Sequence, residues 1–199
     1  MNNKNTNLNK GFTIVETMVA VFVLTMALAA LLTVTADSVF NARYAKNEIT
    51  ANYLLEEAAD FIRNERDTIA FQNNSGGDWV SFLNKYGWGN GTAPDTCFLA
   101  SGCYVDIIEP GAAPMLCTDA PSWGTSSCPI MGFNDADASK NFYNYTAGSD
   151  KSIFNREIKM KLDQTKNGGE ELDVSIRIEW LNGNLVRSRT LNMSLLNWQ

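Results

Sequence analysis

The feature that most constrains this chain is its start. Residues 1–11 are polar and carry Lys4 and Lys10 without an acid. Phe12-Thr13-Ile14-Val15-Glu16 follows, and no charged residue occurs from Thr17 to Ala36. As a helix, a stretch of that length rises about 30 Å, the thickness of a bilayer's hydrocarbon core. Glu16 therefore stands just inside the edge of a membrane-length segment. A carboxylate at the middle of such a segment costs about 2.5–3.5 kcal/mol on insertion scales and less near the interface. An acid held there is a functional-site hypothesis by default, and it needs a partner. The basic leader stays cytoplasmic by the positive-inside rule, which predicts that everything after Asp37 lies outside.

The helical pattern continues past the apolar run. Neither proline nor glycine occurs between Phe12 and Asn74. Phe40, Tyr44, Ala51, Leu55, Ala58, Ile62 and Ile69 recur at the spacing of one helix face, while Arg43, Lys46, Glu56, Asp60, Arg63 and Asp67 fall mainly off it. The pattern predicts one helix of about 60 residues, roughly 90 Å long. Its first half is uniformly apolar and its second half amphipathic, so the second half needs a domain to cover its stripe. Asn73-Asn74-Ser75-Gly76-Gly77 supplies the stop.

Residues 74–150 read as loop-rich. Trp79-Val80-Ser81-Phe82-Leu83 fits a short helix or a strand, and Cys103 to Ile108 reads as a strand. All four cysteines, Cys97, Cys103, Cys117 and Cys128, lie in this stretch. An even count beyond a membrane anchor points to a disulfide pair in an oxidising compartment. The spacings contain no Cys-x-x-Cys, which argues against zinc. Three connectivities are open. Closure of short loops favours Cys97–Cys103 with Cys117–Cys128. Trp79, Trp88 and Trp123 suit buried packing better than ligand contact.

The last stretch, 151–199, alternates. Phe154, Ile158, Met160 and Leu162 share a parity, as do Leu172, Val174, Ile176, Ile178 and Trp180, and then Leu191, Met193 and Leu195. Asn167-Gly168 and Asn182-Gly183 are hairpin dipeptides between these runs. They predict an antiparallel meander of three or more strands packed on the amphipathic helix. A turn at Asn182-Gly183 sets Arg187 and Arg189 on the apolar face. A longer turn, a bulge or snorkelling arginines must accommodate them.

Charge and composition exclude several functions. The net charge is −6 and no basic tract exists beyond the leader, so no nucleic-acid contact is expected. No histidine is present, which removes Ser-His-Asp and Cys-His chemistry and His-ligated metals. No nucleophile–base set appears, and the chain is expected not to be an enzyme. No metal site or resident cofactor is expected. Asn134 to Asn141 places oxygen donors at alternate positions, including Asp135 and Asp137, and so resembles half a calcium loop. It lacks the glycine at position six and the acid at position twelve, so a solvated loop is the better reading. The sequons at Asn73, Asn90, Asn144 and Asn192 reflect an Asn-rich chain.

Gly11-Phe12-Thr13-Ile14-Val15-Glu16, after a short basic leader and before the apolar run, resembles the class III signal of type IV prepilins. The resemblance implies the type IV pilin fold, an α+β fold with a long N-terminal helix packed on a C-terminal antiparallel sheet. It implies cleavage after Gly11 by prepilin peptidase and N-methylation of the new terminus at Phe12. It also gives Glu16 an assembly role, neutralising the terminal amine of a neighbouring subunit. The stretch Ile49–Asp67, with its small residues, a Leu-x-Glu step and Arg63-Asn64-Glu65-Arg66-Asp67, is similar to the helix of PilV-type minor pilins, and Leu195-Leu196-Asn197-Trp198 to the ends of that group. Two departures leave major versus minor subunit open: the membrane helix lacks proline, and the cysteines precede the final sheet.

The organisation expected is therefore a leader peptide at 1–11, a transmembrane half-helix at 12–36, an amphipathic half-helix at 37–73, a disulfide region at 74–150 and a sheet at 151–199. The function expected is a minor pilin of a type IV pilus-like filament. It would reside in the inner membrane with its leader cytoplasmic, and then in an extracellular filament. The partners implied are prepilin peptidase, other pilin subunits, an assembly ATPase, an inner-membrane platform protein and membrane lipid. The alternatives are a minor pseudopilin of type II secretion and a membrane-anchored extracellular binding module or adhesin.

Overall fold

The structure, a computed structural model, describes residues 11–72, 78–89, 96–108, 112–133, 142–145, 150–163, 165 and 171–197. Residues 1–10 of the expected leader, the calcium-like residues Asp135 and Asp137, the sequon residues Asn73 and Asn90, and Asn167-Gly168 lie outside the described residues. The chain forms two units, Met1–Ala45 and Lys46–Gln199. Helix α1 spans Ile14–Gln72 and contributes to both. A long N-terminal apolar helix followed by a curled antiparallel sheet makes this an α+β fold of the type IV pilin kind.

In the second unit α1 buries Ala51, Leu54, Leu55, Ala58, Ala59 and Ile62. These recur at i, i+3, i+4, which gives a stripe broad enough to seat a helix on a sheet. The small residues Ala51, Ala58 and Ala59 let the helix axis approach closely. The buried stripe is narrower in extent than the sequence pattern predicted. Phe40, in the first unit, is 53% exposed, and Ile69 is only partly buried. Leu54 and Ala59 join the stripe instead. Helix α2, Asp78–Lys85, settles the Trp79–Leu83 segment as helix. It stacks Trp79 on Phe82 at 5.6 Å, and Lys85 pairs with Glu65 of α1. Trp88 packs on Phe98 at 5.0 Å, and both rings rest against the core.

Three long strands, β5 (Asp150–Asp163), β6 (Glu171–Asn182) and β7 (Leu185–Leu196), form the antiparallel meander. Four short ones extend it: β1 (Cys103–Tyr104), β2 (Met115–Leu116), β3 (Ile130–Phe133) and β4 (Tyr143–Asn144). The order is β2-β1-β5-β3-β4, with β6 on β5 and β7 on β6. Among the described residues the sheet thus has seven strands, in keeping with the expectation of three or more. Leu172, Val174, Ile176, Ile178 and Trp180 of β6 are all buried, with half-buried or buried polar residues between them. Only Cys103-Tyr104 of the expected Cys103–Ile108 strand is extended in a ladder. The buried Asp106 carboxylate accepts the N–H of Ile108 at 3.3 Å and of Tyr145 at 3.0 Å, which diverts those donors from any strand neighbour.

The β6–β7 hairpin pairs Asn182 with Leu185, so its loop is Gly183-Asn184, one residue later than the dipeptide pattern implied. Gly183 has φ +62°, a left-handed value that a type I′ or similar tight turn demands. This register still sets Arg187 opposite Trp180 and Arg189 opposite Ile178. The conflict noted in the sequence is resolved by exposure and an ion pair. Both arginines are exposed, and Arg189 reaches Glu48 on α1.

The disulfide region continues the sheet beyond β5 through β1 and adds Cys97, Cys103 and Val105 to the core. Cys97 bonds to Cys103 and Cys117 to Cys128, and all four sulfurs are in use. The loop closed by Cys117–Cys128 clasps Glu179, which is fully buried. The Thr125 and Ser126 amides donate to its Oε2 at 2.9 and 3.1 Å, and the Thr125 hydroxyl and Arg177 hold Oε1. Burial pushes the Glu179 carboxyl up, but these hydrogen bonds and the Arg177 guanidinium outweigh it and leave the group below the ordinary carboxylate range.

Candidate processing and assembly site

Gly11, Phe12 and Glu16 lie in the first unit at the start of α1. Thr13 is the N-cap. Its hydroxyl accepts the Glu16 N–H at 3.3 Å and its carbonyl accepts the N–H groups of Glu16 and Thr17 at 3.1 and 3.2 Å. The segment Thr13-x-x-Glu16 thus has the spacing of a capping box, with the carboxylate in the first helical turn where the helix dipole favours negative charge. Gly11 and Phe12 precede the helix and are exposed, Phe12 at 73%. A Cβ built on Gly11 would meet nothing within 4 Å. Nothing among the described residues therefore requires glycine there, so the reason for it is sought outside the fold.

From Thr17 to Ala36 the helix presents an uncharged, largely apolar surface. Every described residue from Gly11 to Arg43 is exposed. Its hydroxyls do not compromise that surface, because each bonds back to the helix: Thr17 to the Ile14 carbonyl, Thr25 to Phe22, Thr33 to Ala30 and Thr35 to Leu32, at 2.7 to 2.9 Å. The aligned Thr17, Thr25, Ala29 and Thr33 thus offer small, internally satisfied side chains rather than free donors. α1 is the one helix among the described residues long and apolar enough to cross a membrane, by length and composition.

The remaining chemistry-bearing residues do not converge on this start. Cys97, Cys103, Cys117 and Cys128 are buried in the second unit. No group of three or more His, Cys, Asp and Glu able to hold a metal occurs among the described residues. Sequence reasoning passed over Arg156, which shares the parity of Phe154 and Ile158 and is 1% exposed. It also passed over Glu179. Arg156 lies in β5, which is buried without alternation from Phe154 to Ile158, and Glu179 in β6, which alternates up to Ile178. The signal was a charge at an inward position in the first and at a face the sequence showed as solvent in the second.

Residues 6–32 match the prokaryotic N-terminal methylation motif. The match covers Gly11, Phe12, Glu16 and the apolar run as far as Leu32. It supports a type IV pilin-like prepilin, a subunit of the pilin or pseudopilin kind, and it implies peptidase processing and assembly with other pilins. The exposed apolar helix fits membrane anchoring. No curated protein and no solved structure matches the chain.

Proposed function

We propose that this chain is a minor pilin of a type IV pilus-like filament. It is cut after Gly11 by prepilin peptidase and methylated at Phe12. The observation that carries this reading is the methylation-motif match over 6–32 at a glycine with no role in the fold. A protease must draw an extended backbone into its site, and a residue without a side chain suits that passage.

Cleavage creates an α-amine at Phe12 and makes Glu16 the fifth residue of the mature chain. Two opposite charges in low dielectric attract far more strongly than in water, and either alone is costly. The Glu16 carboxylate of one subunit therefore pairs with the Phe12 amine of the next and fixes axial register. Exchange of lipid for helix contacts is close to neutral hydrophobically, since lipid is as apolar as leucine. The charge pair and close helix packing set the direction, while an assembly ATPase and an inner-membrane platform protein supply the work of extraction. In this reading 1–11 is the leader, 12–36 crosses the inner membrane before joining the filament, and 37–73 carries the disulfide region and sheet outward.

A minor pseudopilin of type II secretion uses the same start and is separated by phenotype: loss of pilus retraction on one hand, loss of secretion on the other. The pairing argument has its own test. A Glu16→Leu variant is processed normally yet recovered from sheared filaments in far lower amount than wild type. Normal incorporation of that variant contradicts the pairing.

A further inference from the structure

We infer that the cleft between α1 and the β3–β4–β5 edge of the second unit binds a small anionic sugar, a single hexose ring bearing one carboxylate or phosphate. The cleft holds about 290 Å³ and lies wholly within Lys46–Gln199. That volume lies just under the range of drug-sized ligand cavities, about 300–1,000 Å³, and limits the occupant to one ring.

Its lining combines two features that a structural seam does not need. One wall is aromatic. Tyr143 is half-buried, with Phe133 tilted against it at 5.1 Å and Phe154 edge-on at 5.4 Å, and all three rings line the cleft. The rim carries two ammonium groups, Lys46 of α1 and Lys151 of β5, both exposed and neither in an ion pair among the described residues. In a chain of net charge −6, a cleft rimmed by two ammonium groups that make no ion pair among the described residues is marked for an anion. Asp150 shares the rim and leaves one net positive charge, which favours a monoanion.

The polar groups left over suit hydroxyls. The Thr50 hydroxyl is taken by the Lys46 carbonyl and the Ser152 hydroxyl lies against the Phe154 backbone. Asn47, Asp150 and Tyr143 also line the cleft and carry an amide, a carboxylate and a hydroxyl. Burial raises the Tyr143 pKa, so its hydroxyl stays a donor. A bare inorganic anion would leave the aromatic wall without contacts, and a purely apolar ligand would desolvate two lysines. A sugar ring lays C–H groups on the aromatic face, hydroxyls on Asn47 and Asp150, and its anionic group on the lysines.

The test is calorimetric titration of the full chain in detergent micelles with D-glucuronate, glucose 6-phosphate, glucose and inorganic phosphate. The inference predicts saturable binding of at least one anionic sugar, with glucose and inorganic phosphate about tenfold or more weaker. The better of the two anionic sugars tells carboxylate from phosphate. Lys151→Gln, an exposed change that leaves the fold intact, weakens binding about tenfold, the effect of losing one charge-assisted hydrogen bond; Lys46→Gln does the same. Tyr143→Ala also weakens it. No saturable binding of either anionic sugar, equal binding of glucose, or unchanged affinity in both lysine variants overturns the inference. None of these outcomes bears on cleavage after Gly11.

Discussion

Arg156 of β5 donates to the Glu57 carboxylate of α1 at 3.1 Å and so ties the sheet to the helix across the core of the second unit. Its other terminal nitrogen donates to the Val105 carbonyl at 3.0 Å, which brings the disulfide region into the same joint. A guanidinium 1% exposed is tolerable only because its fork meets a carboxylate and carbonyls together. Arg156→Ala leaves a cavity and unpartnered carbonyls, and it is predicted to destabilise the second unit by about 3 kcal/mol. Arg156→Met keeps most of the volume and so avoids the cavity cost; it is predicted to lose less than alanine but still to destabilise, because it leaves Glu57 without its partner. Urea unfolding of the two variants, followed by near-UV circular dichroism, checks both the loss and its order.

Glu179 gives a pH dependence of known sign. Its folded pKa lies below the reference value of 4.5, so the bound carboxylate contributes stability at pH above that value. That contribution is lost as pH falls through the folded pKa. Wild type is thus predicted to lose stability steadily below pH 4.5. Glu179→Gln starts less stable at neutral pH and shows a flatter decline. Thermal unfolding from pH 7 downward separates the two. Parallel curves would show that the clasp made by Thr125 and Ser126 is not the group that titrates.

Much of this was legible in residue order. The alternation from Leu172 to Trp180 named the buried face of β6 correctly, and the Asn73–Gly77 breakers follow the observed end of α1 at Gln72. The short cysteine spacings favoured the two bonds the structure contains. What was missed has physical causes. β1 to β4 are two to four residues long, too short to show a period. Arg156 reads as a defect in an apolar run because its partners, Glu57, Leu54 and Val105, are distant in sequence. Glu179 reads as a solvent-facing charge because nothing local announces that a loop 53 to 54 residues earlier will cover it. At the N-terminal start the sequence carries the motif matched over 6–32, and Glu16 is the residue proposed to need a partner. Its partner, by the proposed pairing, belongs to another molecule and is visible in neither sequence nor fold.

The Cys117–Cys128 bond spans 11 residues and holds the loop that covers Glu179. Cys117→Ser with Cys128→Ser is predicted to lower stability by about 2–3 kcal/mol on the loop-closure model. It also uncovers Glu179 and removes the low-pH dependence assigned to it. Loss of stability with that dependence intact would separate the disulfide from the clasp.

Gly102 combines a left-handed backbone, φ +71°, with close approach to a strand. A Cβ there would lie 2.9 Å from the Ile158 carbonyl oxygen. That contact is with backbone, which cannot swing aside. Gly102→Ala is therefore predicted to cost about 1–3 kcal/mol and to loosen the Cys97–Cys103 loop against β5. Hydrogen exchange at the Met160 amide, which bonds the Cys97 carbonyl at 2.9 Å, reports this directly.

The central claim concerns the bond after Gly11. Intact-mass and N-terminal peptide mass spectrometry of the protein recovered from its native cell envelope reads it in one measurement. The account predicts a chain beginning at N-methyl-Phe12. A protein that keeps its leader, or one cut near Ala36, would contradict it.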